Sequence, residues 1–412
     1  MDPVTSVLNE ELLARIAERA PGYDERNEFC HEDLAELTEA GYLRALVPAD
    51  QGGLGWDLPT LVAAQRRLAA AAPATALAVN MHHIWVSVAR KMVAGGHGEF
   101  TQVLTEAAAG EIFAFGISEA GNDAVLFDST TQAEAHDDGS VTFTGTKIFT
   151  TLAPVWTRLG LFGKDVSATG AEGETPLIFG FLERESSGWE TIENWDTLGM
   201  RATQSHTTVL QGARVPAERV VRRLPVGPNP DPMVFAIFSS FLTLLAAVYT
   251  GIGDRALTLG AELVAKRSSL LSGDTMAKDP DTRYKLAEAQ LAQLSLDSQL
   301  RGIAAEIEAG ADHGASWSPR LAALRTNATR TARSVLDLVL GVSGRPSTTG
   351  SRSSAGSTGM HWRESITPRM TNPPTARSRT TRWARSDAGR VDRPALTLRV
   401  PGGNSVEQGY PR

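Results

Sequence analysis

Cysteine occurs once in these 412 residues, at Cys30, so no internal disulfide framework is available and a reducing compartment such as the cytoplasm fits. The lone thiol sits in a helix-like segment and reads as a bland buried side chain. No apolar leader opens the chain, whose first residues are polar and soon amphipathic. Long apolar runs are scarce as well. The strongest, residues 233–249, is interrupted by Ser239, Ser240 and Thr243 and merges into an amphipathic helix, which predicts a buried helix and no membrane partner. A formal net charge of -7 lacks the basic field that nucleic acid requires. There is no Walker-type loop, no Gly-x-Gly-x-x-Gly after a strand, and no metal-ligand spacing.

What is present changes period twice. Up to about residue 110 apolar residues recur at spacings of three and four, as in Leu12–Leu13–Ile16 and Leu34–Leu37, which predicts helices broken at Pro21–Gly22 and at Pro48. From 111 to about 225 the period is two. Asp138–Gly139 marks a hairpin, and residues 159–162, 177–182 and 207–211 read as further strands. From 230 to 344 the chain reads as three long helices, about 232–266, 280–309 and 319–340, with Asp279–Pro280 and Ser318–Pro319 as starts. The expected class is α+β: an N-terminal helical domain (1–110), a middle barrel-like β-domain (111–225) and a C-terminal helical bundle (230–344), followed by a stretch of different character (345–412).

Four ordered motifs carry the chemistry. The first is Phe115–Gly116–Ile117–Ser118–Glu119–Ala120–Gly121–Asn122–Asp123, a loop rich in small residues at the entry to the β-region. Such a loop brings backbone N–H groups and a hydroxyl close to a ligand. It is followed by Gly145–Thr146–Lys147–Ile148–Phe149–Thr150–Thr151, by Leu198–Gly199–Met200–Arg201–Ala202–Thr203, and by Val215–Pro216. Together with Ala40–Gly41–Tyr42 and Gly52–Gly53–Leu54–Gly55, this series resembles the acyl-CoA dehydrogenase superfamily over residues 10 to 344. The first loop departs from the family at Ala120, where proline is usual, and is shorter.

The resemblance implies FAD between the β-domain and the C-terminal helices of a cytoplasmic homo-oligomer, a dimer or tetramer. It implies oxidation of an acyl-CoA thioester, as in fatty acid metabolism, with an electron-transfer flavoprotein or another acceptor taking the electrons. Carried over by position, Phe115, Ile117 and Ser118 meet the flavin ring, and Gly121 and Asn122 form the adjoining loop. Phe149, Thr150 and Thr151 flank the ring, and Arg267 meets the pyrophosphate of a neighbouring subunit. A plain solvated helix-end charge is the competing reading of Arg267. His82 and His83 are further candidates, though adjacent helical histidines are commonly structural. The catalytic base is not found: the family keeps it either on the first helix of the bundle, where its place falls near Phe241, or in a C-terminal loop, which would lie beyond residue 344. The rival functions are a reduced-flavin monooxygenase of the same fold and an inactive truncated remnant.

The stretch after Gly344 no longer reads as the family. From 345 to 390 it holds nine arginines, two acidic residues and, among Leu, Ile, Val and Phe, only Ile366. That composition predicts disorder. Joining each codon's last base to the next codon's first two gives a different peptide. Met360–His361 then forces Ala, His361–Trp362 forces Leu, Met370–Thr371 forces Asp and Trp383–Ala384 forces Gly. With wobble elsewhere, residues 355–376 decode as Arg-Leu-Tyr-Arg-Asp-Ala-Leu-Ala-Gly-Ile-Tyr-His-Pro-Ala-Asp-Asp-Glu-Ser-Ala-His-Arg. Relatives carry a Tyr-Arg-Asp helix at this place, and the His-Pro stands where dehydrogenases keep a glutamate. The tail therefore reads as the product of a frameshift.

Overall fold

A computed structural model describes residues 2–167, 176–270 and 272–343. The 345–412 tail lies outside the described residues, and with it the expectation of disorder there.

The N-terminal region consists of α1 (Pro3–Val7), α2 (Glu10–Arg26), α3 (His31–Glu39), α4 (Leu58–Ala71), α5 (Pro73–Ala94) and α6 (Thr101–Ala109). One expectation is corrected here. Pro21 does not end its helix; α2 runs through it to Arg26. Proline forfeits one backbone donor, and burial of Tyr23 in the last turn holds the helix together beyond it. The helix stops at Asn27, which turns left-handed at φ 54°.

The middle region is one mixed sheet of β1 (Phe113–Gly116), β2 (Gln132–Ala135), β3 (Val141–Thr150), β4 (Arg158–Asp165), β5 (Pro176–Glu183), β6 (Trp189–Ile192), β7 (His206–Val215) and β8 (Val220–Pro225). The order is β6-β7-β3-β2-β4-β5-β8, so among the described residues β6 and β8 are edges and the sheet is not closed by hydrogen bonding. Both β1 and β2 pair in parallel with β4, one after the other along the same edge. The chain between them must therefore leave the sheet and return, and this makes the 117–131 loop.

The C-terminal region is α7 (Pro232–Lys266), α8 (Pro280–Glu308) and α9 (Trp317–Ser343). Asp231 and Asp279 cap α7 and α8 by accepting from Met233 N and Thr282 N, both at 2.8 Å, and each helix begins on proline. By length and composition α7 could cross a membrane, yet most of it is buried against α4, α5 and α9. Two glycines permit close approaches between these regions. A Cβ at Gly251 would stand 2.2 Å from Arg66 O on α4, and one at Gly160 would stand 2.3 Å from the Trp85 ring. The second lets α5 dock on the sheet, where Trp85 Nε1 donates to Ala114 O at 3.0 Å.

Candidate functional site

The 117–131 loop is organised by Glu119. Its Oε1 accepts from Lys147 Nζ at 2.5 Å and from Ser129 Oγ at 2.6 Å; its Oε2 accepts from Thr130 N at 2.7 Å and Asn122 Nδ2 at 2.9 Å. Lys147, on β3, also donates to Phe162 O at 2.7 Å. Both side chains are fully buried. Burial alone would raise the Glu119 carboxyl, but the Lys147 charge and these hydrogen bonds hold it far below the usual carboxylate range. Burial lowers Lys147 to about 8 against the opposing pull of Glu119. The pair pins the loop to β3, a role not visible in the sequence.

Within the loop, Gly121 turns at φ 77°. The Asn122 amide is used internally: Nδ2 donates to Glu119 and to Asp128 O, and Oδ1 accepts from Ala124 N. Ser118 accepts from Ile148 N at 2.9 Å through its carbonyl, which sets the loop beside the end of β3. Its hydroxyl has no partner among the described residues. Phe115 and Ile117 are buried in the core.

At the end of β3 a bulge between Lys147 and Thr150 turns Phe149 outward, with φ 57° and 57% of its surface exposed. Trp195 meets its ring edge-on, at 6.0 Å and 85°. Thr151 Oγ1 lies 2.7 Å from Ser205 Oγ, which lies 2.8 Å from Thr203 Oγ1. Thr150 is sealed inside the sheet and its hydroxyl is unpaired. The exposed ring of Phe149, the Ser118 hydroxyl and the Thr151–Ser205 pair thus gather at the end of β3.

Opposite stands α7. The Phe241 ring stacks on Phe115 at 5.5 Å and 23°, Trp85 adds a third ring 5.3 Å from Phe115, and Phe238 lies 5.9 Å from Phe127. Phe238, Phe241, Leu242 and Leu245 remain half-buried along this face of α7. Between Asp231 and Asp254 the helix carries no acidic residue.

Arg267 is elsewhere. It follows α7, 26 residues beyond Phe241 and so roughly 39 Å along the helix, where its Nη1 donates to Val342 O at 2.8 Å. At that distance it cannot share a ring site with Phe149 and Phe115 of its own chain. The two histidines are core residues. His82 Nε2 donates to Leu43 O at 2.8 Å while Nδ1 accepts from Phe113 N at 3.2 Å, and burial lowers it to about 4. His83 packs edge-on to Tyr42 at 4.8 Å with both ring nitrogens buried and unpaired. Burial pushes the Cys30 thiol up to about 12, so it is no nucleophile at neutral pH.

Comparison with known proteins places this arrangement. Residues 4–111 match the acyl-CoA dehydrogenase N-terminal domain, and residues 243–353 match the acyl-CoA dehydrogenase C-terminal domain. "Putative acyl-CoA dehydrogenase YdbM" of Bacillus subtilis is 26% identical over 305 residues, 69% of this chain and 73% of its own length. L-evernosamine nitrososynthase of a Micromonospora species is 29% identical over 261 residues, 62% of this chain and 60% of the enzyme. Dibenzothiophene monooxygenase of Rhodococcus erythropolis is 25% identical over 294 residues, 69% and 68% of the two chains. KijD3, solved with FMN and a dTDP-amino-ketosugar, has the same fold at a TM-score of 0.77 and 22% identity, covering 91% of each chain. The N-terminal helices, middle sheet and C-terminal helices, with both terminal domains matched, show that this chain belongs to the acyl-CoA dehydrogenase superfamily of flavin-dependent enzymes.

Proposed function

We propose that this chain is built for oxygen transfer with a reduced flavin, a monooxygenase of the acyl-CoA dehydrogenase fold. The observation that carries this reading is Phe241. Dehydrogenation of a thioester needs a general base beside the α-carbon, and the face of α7 that meets Phe115 offers aromatic rings where that base would stand. Oxygen transfer needs no such carboxylate. It needs a site from which water is kept out, and Phe115, Phe241 and Trp85 supply that. A reduced flavin, when bound, would supply the two electrons by which one atom of O2 goes to the substrate and the other leaves as water. Phe149 offers it a stacking face, and Ser118 and Thr151 offer hydroxyls at its edge. The relatives named for nitroso synthesis and for monooxygenation point the same way.

The cofactor is FAD on the superfamily resemblance, or FMN, the flavin bound in the KijD3 structure. The working unit is a cytoplasmic homo-oligomer, and the substrate is a small molecule with an apolar body. YdbM supports a second reading, acyl-CoA dehydrogenation with an electron-transfer flavoprotein as acceptor and the base supplied from beyond residue 343. The test is oxygen consumption by the chain with chemically reduced flavin, against a panel of aromatic sulfides, amines and phenols. A new oxygenated product, absent in the Phe149→Ala variant, supports oxygen transfer. No product from any of these, together with reduction of bound flavin by an acyl-CoA, favours the dehydrogenase.

A further inference from the structure

Strain in this chain is concentrated. Among the described residues six non-glycine residues have positive φ: Asn27, Leu126, Phe149, Leu152, Met200 and Gln204. Such conformations are costly unless the surroundings impose them. Five of the six are tied to a single segment, 194–204, and to its supports. Phe149 meets Trp195, Leu152 N donates to Thr203 O at 3.3 Å, and Asn27 reaches the segment from α2.

The hydrogen bonds there close on themselves. Asn27 Nδ2 donates to Trp195 O at 2.8 Å. Trp195 N donates to His206 Nδ1 at 3.1 Å, which leaves His206 Nε2–H to donate to Gln204 Oε1 at 2.8 Å. Gln204 Nε2 returns to Asn27, donating to its carbonyl at 2.9 Å and to Oδ1 at 3.2 Å. Gln204 Nε2 also donates to Arg201 O at 3.1 Å, within the segment itself. Arg201 Nε adds a second tie to α2, donating to Asp24 O at 2.8 Å.

We propose that Asn27 is a positioning residue for the flavin. It holds Trp195, and through Trp195 the exposed ring of Phe149, in the plane a planar cofactor requires. Strain and ring together keep the platform assembled before the ligand arrives, so binding does not have to order it. This rests on the reading of Phe149 as a flavin-stacking residue. Because Asn27 lies on the N-terminal helices and Phe149 on the sheet, the latch also couples the two regions at the site.

Asn27→Gly separates positioning from stability. Glycine accepts φ 54° without strain, which offsets the lost side-chain bonds in the fold but not at the platform. The full-length chain, Asn27→Gly, Trp195→Ala and Phe149→Ala are titrated with FMN and with FAD by fluorescence quenching, and each is melted without flavin. The expected result is about tenfold weaker binding in Asn27→Gly and in Trp195→Ala, the worth of one or two hydrogen bonds passed on to the ligand. The melting temperature of Asn27→Gly should stay within about 2 °C of the parent. Parental affinity in Asn27→Gly, or a loss of affinity that merely follows a lower melting temperature, overturns the proposal. If Phe149→Ala binds as the parent does, or the parent takes up no flavin, the flavin reading itself falls and takes this proposal with it.

Discussion

Phe241 lies 5.5 Å from Phe115 and nearly parallel to it, one ring on α7 and the other on β1. This stack joins the helical bundle to the sheet. On the same face of α7, Phe238 meets Phe127 of the loop at 5.9 Å. Phe241→Ala should cost about 1–3 kcal/mol in urea unfolding, below the 3–5 of a fully buried phenylalanine because the ring is half-buried. A loss under about 0.5 kcal/mol would mean that the two regions are held elsewhere.

Glu119 and Lys147 make a second joint, fully buried. Removing either charge alone leaves the other without a partner. Glu119→Gln and Lys147→Met should each destabilise the chain by about 3–5 kcal/mol, and the double variant by much less than their sum. Additive losses in the denaturation cycle would show that the pair does not act as one unit.

Acid should weaken the chain through the paired histidines of α5. Burial depresses both imidazoles, His82 to about 4. The folded state keeps them neutral while the unfolded state takes up protons below its ordinary value of about 6.5. Their contribution is therefore intact above pH 6.5 and falls away as the pH drops toward 4, by up to about 3 kcal/mol for His82. His83→Phe removes one titrating group and two unpaired nitrogens. It should be at least as stable at pH 7 and lose less on acidification; identical acid slopes in chemical denaturation would refute this.

Much of the fold was legible because local signals agree with it. The helix expected over 232–266 is α7, the strands at 159–162, 177–182 and 207–211 lie inside β4, β5 and β7, and the Asp138–Gly139 turn joins β2 to β3. Pro21 misled because the stabilisation of the last turn of α2 is tertiary. The short strands β1, β6 and β8 were not separately read, since four to six residues carry little period. At the site, the motif residues Ser118 and Phe149 do come together, through Ile148 N and Ser118 O. The Glu119–Lys147 pair and the ring around Asn27 went unseen because their members are 28 and up to 179 residues apart. No local pattern records such contacts.

We also propose that the tail after Gly344 is a frameshift product, on the strength of the coherent second frame between 355 and 376. The peptide recovered there would be a helix for α7 and α9 to pack against. Restoring that frame should raise melting temperature, flavin content and the tetramer fraction together. A repaired chain that matches the present one in all three would make the tail native.

The most direct test of oxygen transfer against dehydrogenation uses the chain loaded with oxidised flavin under anaerobic conditions. Butyryl-CoA and octanoyl-CoA are added while the flavin absorbance near 450 nm is followed. Phe241 in place of a base predicts no bleaching by either thioester, whereas flavin reduced beforehand should be reoxidised when oxygen is admitted. Rapid bleaching by an acyl-CoA would contradict this account, because a base would then have to reach the substrate from outside α7, whose face beside Phe115 offers only rings.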